Sequence, residues 1–379
     1  MNRTQEPTRY TAISLFSGAG GMDIGINQAG FNILASLELD PYACETLRSN
    51  INREGGKTSV IEEDIRKVNP IQLMNDFGLA TGDLDLLFGG PPCQAFSQIG
   101  KRYSLNDDRG LLLFEMVRFA DAFRPKVLLI EQVKGLLNAP DITGKPGGVF
   151  EQLVECLDRL DYTLTWKVVN AAEYGVPQLR ERVFMVATRD GESFLFPPPT
   201  HGNPKKQGLL FALPSYRTVG DVINDLGNPC LVNGSIPENS HLDVTPQGDR
   251  SRINGVPEGL YLSGQLQLPQ KQRGNLTKKD TTKFKRLSRT APSNTLRCGE
   301  IFFHPLENRY LTPREYMRIH GYPDAYVLKG PVRSRSGSVR FLDQHRQIAN
   351  SVPPPVAKTL ATAILAVFNQ PVCRPPEYA

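Results

Sequence analysis

Between residues 11 and 190, short β-type apolar runs alternate with amphipathic segments. That alternation restricts the fold more than any other feature of the chain. Runs at 11–16, 31–37, 59–61, 84–88, 127–130, 164–169 and 183–188 read as strands. Helical patterning fills the gaps: from the glycines at 18–21 to about Ala29, from Pro41 to about Asn50, and over 111–123 and 150–160. Such alternation predicts a parallel sheet with helices on both faces. At 379 residues the chain is too long for one small core, which predicts a second lobe.

Composition narrows the class. Mean hydropathy is −0.32, and no run approaches the roughly 20 apolar residues that span a bilayer. Residues 1–7 lack the apolar segment of a signal peptide. The six cysteines, at 44, 93, 156, 230, 298 and 373, form no CxxC pair, so neither a zinc site nor a disulfide framework is expected. A reducing, cytoplasmic setting with no membrane contact fits this usage. The net charge of +5 permits a polyanionic partner without demanding one.

Chemistry concentrates at the strand ends. The run 84–88 leads straight into Gly89-Gly90-Pro91-Pro92-Cys93-Gln94-Ala95-Phe96-Ser97. Two glycines let backbone approach closely, two prolines stiffen the loop, and one nucleophilic side chain is delivered at the carboxyl edge of the sheet. Alone, Cys93 reads first as an inert buried thiol, and the motifs up- and downstream reverse that reading. Upstream, Leu15-Phe16-Ser17-Gly18-Ala19-Gly20-Gly21-Met22-Asp23 joins the first strand to the first helix. Asp23 stands where a dinucleotide fingerprint has its third glycine, which argues against an NAD site. Glu38, about 20 residues on, is placed for ribose hydroxyls, and Asp64 after the next strand for an adenine amino group. Alone, each acid reads as an ordinary loop residue; as a set at successive strand ends they suggest an adenosine pocket. Glu131 closes the apolar run Val127-Leu128-Leu129-Ile130, and burial suits a carboxyl to proton donation. Gln178-Leu179-Arg180-Glu181-Arg182 puts two arginines on one face of an extended segment, a clamp for a carbonyl or phosphate or else a surface ion-pair ladder.

These motifs, in this order, resemble the 5-methylcytosine DNA methyltransferase family. Residues 289–295 and Leu311-Thr312-Pro313-Arg314-Glu315 resemble the segment before the family's last motif, and Arg346-Gln347-Ile348-Ala349-Asn350-Ser351-Val352-Pro353-Pro354 resembles that motif itself. The resemblance covers 11–190 and 285–368. It implies a Rossmann-like α/β S-adenosylmethionine-dependent methyltransferase domain with a smaller, loop- and strand-rich target-recognition domain. It assigns 11–190 to catalysis and cofactor binding, 191–286 to target recognition, and 287–379 to the end of the small domain and a helix returning to the first lobe.

The resemblance also implies the reaction. Cys93 would add to carbon 6 of a cytosine flipped from duplex DNA. Glu131 would hold ring N3 and the exocyclic amine, while Arg182 and Arg180 would bind ring O2. Phe16, Gly18, Gly20, Glu38, Leu39, Asp64, Pro92, Asn350 and Ser351 would line the S-adenosylmethionine pocket. Double-stranded DNA is the implied partner of a monomeric enzyme, and a cognate restriction endonuclease acting separately is left open.

Two positions depart from the family pattern. Gln132 stands where the family has Asn, and residues 330–341, with three arginines, look inserted. Residues 191–286 match no motif, yet from Lys271 to Arg289 there are eight basic residues and one acid, which fits phosphate contacts. Three rival readings are a tRNA cytosine methyltransferase, a catalytically silent DNA-binding homologue and a cysteine hydrolase. Gln94-Ala95-Phe96-Ser97 weighs against the first, the presence of Cys93, Glu131 and Arg182 together against the second, and the lack of a motif histidine beside Cys93 against the third.

Overall fold

The computed structural model of the chain describes residues 10–53, 55–92, 112–189, 191, 194–203, 213–231, 236–265, 269, 282–333 and 341–368. Five strands, β1 (Thr11–Leu15), β2 (Asn32–Glu38), β3 (Ser59–Glu62), β4 (Leu86–Gly89) and β5 (Val127–Val133), lie parallel in the order β3-β2-β1-β4-β5. β4 is buried along its whole length, as a strand covered on both faces should be. The covering helices are α1 (Gly21–Ala29), α2 (Pro41–Arg53), α3 (Pro70–Asp76), α4 (Leu112–Phe123) and α5 (Gly148–Asp158). Met116, Phe119 and Phe123 of α4 and Leu153 and Leu157 of α5 fill one face. Ile26 of α1 fills the other, together with Leu360 and Ile364 of the C-terminal helix Pro354–Phe368.

The expectation of a wholly parallel sheet is corrected at its far edge. After β6 (Tyr162–Asn170) and the two-residue β7 (Gln178–Leu179), β8 (Glu181–Arg189) runs antiparallel to both β6 and β5. The full order is β3-β2-β1-β4-β5-β8-β6. The connection from β6 to β8 holds only a 3-10 turn at Ala171–Tyr174 and β7, and without a crossover helix a strand returns antiparallel to its neighbour. The reversal has a chemical consequence. It sets the first residues of β8 beside the last residues of β5, with Arg182 opposite Val133. A parallel β8 would have carried Arg182 to the other edge of the sheet.

The C-terminal helix packs on the sheet beside α1 and lies along it. A Cβ at Gly25 would sit 2.5 Å from the Pro354 carbonyl oxygen and from the Lys358 nitrogen, so only glycine allows this approach. Residues Gln344–Phe368 are long and apolar enough to cross a membrane by length and composition, but Val356, Ala357, Leu360, Ala361 and Ile364 are buried in the core.

A second core holds Val222, Ile223, Leu287, Leu296, Phe302, Leu311 and Met317. Regular structure is sparse around it, and a buried arginine ties the loops together. Arg286 donates to the carbonyls of Ile253, His304, Pro305 and Glu307 and to the Asn308 side chain. The strand Phe284–Arg286 pairs with Ile301–Phe303, so the small lobe continues across residue 286.

Asp23 acts as a staple. Its carboxylate accepts from Ser14 of β1 at 3.0 Å and Ser36 of β2 at 2.7 Å, joining α1 to two strands. Burial, opposed by those hydroxyls, pushes its pKa up to about 6. The folded protein therefore holds this proton more tightly than the unfolded chain. The resulting stability is complete below the ordinary aspartate value of about 3.9 and is lost as pH rises through about 6. Relative to Asp23→Asn, the wild type should lose about 3 kcal/mol between about pH 3.5 and about pH 7 in urea unfolding. Parallel pH curves for the two proteins would refute the coupling.

Candidate active site

The turn after β1 is built by backbone strain and one carboxylate. Phe16 has φ 55° and Gly18 φ 54°. A left-handed phenylalanine persists only when its surroundings hold it. Here the Ser17 N–H donates to the Leu37 carbonyl at 3.0 Å, and the Gly18 N–H donates to Glu38 Oε2 at 2.7 Å. Glu38 Oε1 accepts from the N–H groups of Leu39 and Asp40, both at 2.8 Å. Glu38 thus joins the tips of β1 and β2, and Oε2, with one partner, retains acceptor capacity. Burial pushes its pKa up, against the pull of those backbone donors.

A cavity of about 670 Å³ opens beside this turn, within the range of small-molecule sites. Phe16, Gly18, Glu38, Leu39, Asp64, Pro92 and Asn350 line one part of it, and Glu131, Arg180 and Arg182 another. Leu39 is 60% exposed, an apolar side chain left uncovered by the protein. The Asp64 carboxylate accepts from the Arg66 N–H at 3.0 Å and from its guanidinium at 2.6 Å, which holds its pKa below the usual carboxylate range. This lining fits S-adenosylmethionine: an apolar face for a ring at Leu39 and Phe16, and carboxylate acceptors for hydroxyl and amino groups.

The acid lies where β5 meets β8. Glu131 and Val133 share a face of β5, so Arg182, opposite Val133, reaches Glu131 diagonally. Arg182 Nε lies 3.0 Å from Glu131 Oε1, and its Nη1 donates to the Glu181 carbonyl at 2.7 Å. Gln132 is buried, and its Nε2 donates to the Pro91 carbonyl at 2.8 Å. Its Oε1 accepts from the Val133 N–H at 2.8 Å. The longer amide therefore reaches the Pro-rich segment that precedes Cys93. Cys93 itself lies outside the described residues, as do most of residues 330–341.

Arg180 and Arg182 line the same cavity but have different partners. Arg180 Nη1 donates to the carbonyls of Leu296 (3.4 Å) and Ala349 (3.1 Å), and Nη2 to that of Ser351 (3.0 Å). Its Nε is buried without a protein partner. Burial, with the neighbouring Arg182 charge, pushes the guanidinium pKa down to about 9, so it remains a cation at neutral pH.

Two other expected residues stand off the main cavity. A Cβ at Gly20 would meet the Tyr326 hydroxyl at 2.5 Å, so this glycine makes room for the protein itself. Ser351 borders only an adjoining recess of about 30 Å³. Sequence reasoning missed Cys298, which faces the cavity from the small lobe, and Arg66, which covers Asp64. No motif marks Cys298. A basic residue two places after Asp64 was a faint signal for Arg66.

The chain matches the family described as C-5 cytosine-specific DNA methylase over residues 10–366. It is 32% identical to Type II methyltransferase M.NgoFVII of Neisseria gonorrhoeae, over 97% of this chain and 90% of that one. It is 33% identical to Type II methyltransferase M.Eco47II of Escherichia coli, over 95% and 80%. Among solved structures it is similar to a proposed DNA modification methyltransferase encoded within an E. coli prophage, with TM-score 0.68, 21% identity and coverage of 95% and 100%. DNMT2 of Spodoptera frugiperda is also similar, with TM-score 0.60, 17% identity and coverage of 94% and 99%. At those identities the structural likeness shows a shared fold.

Proposed function

Since the chain belongs to the C-5 cytosine-specific DNA methylase family, and so is a DNA cytosine-5 methyltransferase of the restriction–modification kind, we propose that Cys93, Glu131 and Arg182 carry its chemistry on a cytosine flipped out of duplex DNA. Carbon 5 of cytosine is a poor nucleophile. Addition of the Cys93 sulfur at carbon 6 converts the ring into an enamine and makes carbon 5 reactive. Glu131 donates a proton to ring N3 and binds the exocyclic amine. Arg182 binds ring O2, where negative charge builds up. S-adenosylmethionine, which the family uses, supplies an electrophilic methyl group when bound. Once carbon 5 carries the methyl group, loss of its proton and expulsion of the Cys93 sulfur restore the aromatic ring.

The observation that carries this reading is the Glu131–Arg182 pair, 3.0 Å apart, on the wall of the cavity that also reaches Leu39 and Asn350. Glu38, Leu39, Asp64 and Asn350 hold the cofactor. Arg180 contributes by holding the cavity wall through three backbone carbonyls. Bisulfite sequencing of DNA from a host expressing the chain should find protected cytosines in one short sequence context. Labelled methyl transfer to tRNA and none to DNA would overturn the reading.

We assign residues 191–286 to target recognition. A pocket that holds one flipped cytosine cannot read its neighbours, and groove contacts worth about 1–3 kcal/mol each must come from outside it. Replacing this segment with a relative's should move methylation to the relative's sequence, read by bisulfite sequencing of plasmid DNA. An active hybrid that keeps the original site would place recognition elsewhere. Neutralising Lys278, Lys279 and Lys283 should weaken binding to all sequences alike and flatten its salt dependence. Lys285 is set apart, because its ammonium donates to Asn294 at 2.6 Å. A cytoplasmic monomer working beside a separate endonuclease completes the proposal.

A further inference from the structure

We propose that Cys298 is a positioning residue for the cofactor: its thiol holds the Asn350 carboxamide oxygen and leaves the amide nitrogen as a fixed donor to the bound cofactor. The inference rests on reading the 670 Å³ cavity as the cofactor site.

The two residues come from distant parts of the chain. Cys298 comes after the short strand Ser293–Asn294, while Asn350 ends the helix Gln344–Asn350, whose Ile348 shares a core with Leu296. The Cys298 thiol donates to Asn350 Oδ1 at 2.9 Å, and both residues line the cavity. Among the described residues, no acceptor is bonded to Asn350 Nδ2.

A second feature converges on the same place. The buried Arg180 guanidinium grips the carbonyls of Ala349 and Ser351, one on each side of Asn350. It also grips the carbonyl of Leu296, two residues before Cys298. The backbone at Asn350 is therefore held, and the rotation of its side chain is the freedom left. The thiol removes that freedom. Cys298 also borders a second cavity, of about 610 Å³, lined by Arg297, Glu300, Tyr316 and Asp343. It thus stands where the small lobe meets the cofactor site, with a side chain small enough to leave both openings clear.

S-adenosylhomocysteine is the probe, with binding measured by titration calorimetry on the full chain without DNA. Cys298→Ala should weaken binding about fivefold, the factor of one ordinary hydrogen bond. Cys298→Ser, whose hydroxyl is the stronger donor, should bind no more than about twofold more weakly than wild type. Asn350→Ala should weaken binding at least as much as Cys298→Ala, and adding Cys298→Ala to it should cost nothing more, as residues acting through one contact are non-additive. In methyl transfer, Cys298→Ala should raise KM for S-adenosylmethionine and leave kcat at saturation within about twofold. Wild-type affinity in Cys298→Ala, a serine variant as weak as the alanine one, or additive losses in the double variant would each overturn the proposal. Failure of the wild type to bind the probe would instead remove the cofactor assignment of the cavity.

Discussion

DNA whose target cytosine carries fluorine at carbon 5 is expected to trap the wild-type protein as a covalent complex that survives denaturation. The trap arises from the chemistry proposed for Cys93. Once sulfur has added at carbon 6 and a methyl group has reached carbon 5, release requires a group that leaves carbon 5 as a cation. A proton does so; fluorine does not. Cys93→Ser should give no complex and should lower methyl transfer by about 10⁴-fold or more, roughly 5.5 kcal/mol of barrier, because a serine hydroxyl is scarcely ionised and is a poor nucleophile at neutral pH. Denaturing electrophoresis and mass spectrometry of the digested complex provide the readout. A complex that persists in Cys93→Ser would remove Cys93 from the nucleophile's role.

The second large effect separates two adjacent residues. Glu131→Gln should lower kcat about 10³-fold, since an amide cannot deliver the carboxyl proton to ring N3. The loss corresponds to about 4 kcal/mol. Gln132→Asn should cost no more than about tenfold, roughly 1.4 kcal/mol. The structure gives the reason for this difference. Gln132 acts on the protein rather than on the base, through its 2.8 Å bond to the Pro91 carbonyl. Asparagine keeps the amide but is one methylene shorter, so the bond lengthens without leaving a purely apolar contact. Gln132→Leu, which leaves that carbonyl without its donor, should fall between the two, at about 1–3 kcal/mol. Equal losses for Glu131→Gln and Gln132→Asn would show that the acid has been assigned to the wrong residue.

Much of the candidate site was legible before any coordinates. Glycines and prolines mark strand ends through local backbone preferences, and acids that close apolar runs stand out by composition alone. Phe16, Leu39, Pro92 and Asn350 were reached only through the resemblance to the family; they stand around one cavity with Gly18, Glu38, Asp64, Glu131 and Arg182. The glycine-rich turn was legible only in outline. Its pattern suggested backbone opened for a ligand, whereas Gly20 makes room for Tyr326. Sequence marks the absence of a side chain without naming the group that fills the space.

The sequence by itself determined the order of the main strands in the first 190 residues, four of the five helices between them (Pro70–Asp76 was missed) and the edge of the sheet on which chemistry collects, because these arise from periodicities a few residues long. Tertiary structure decided which groups face each other. The short β6–β8 connection reversed a strand and brought Arg182 to Glu131. Long-range packing gave Arg180 the carbonyls of Ala349 and Ser351. It also set Cys298 against Asn350, 52 residues further along the chain. Hydrophobic periodicity specifies an element and its buried face, but the partner of a buried guanidinium or thiol depends on where distant backbone comes to rest once the core has closed.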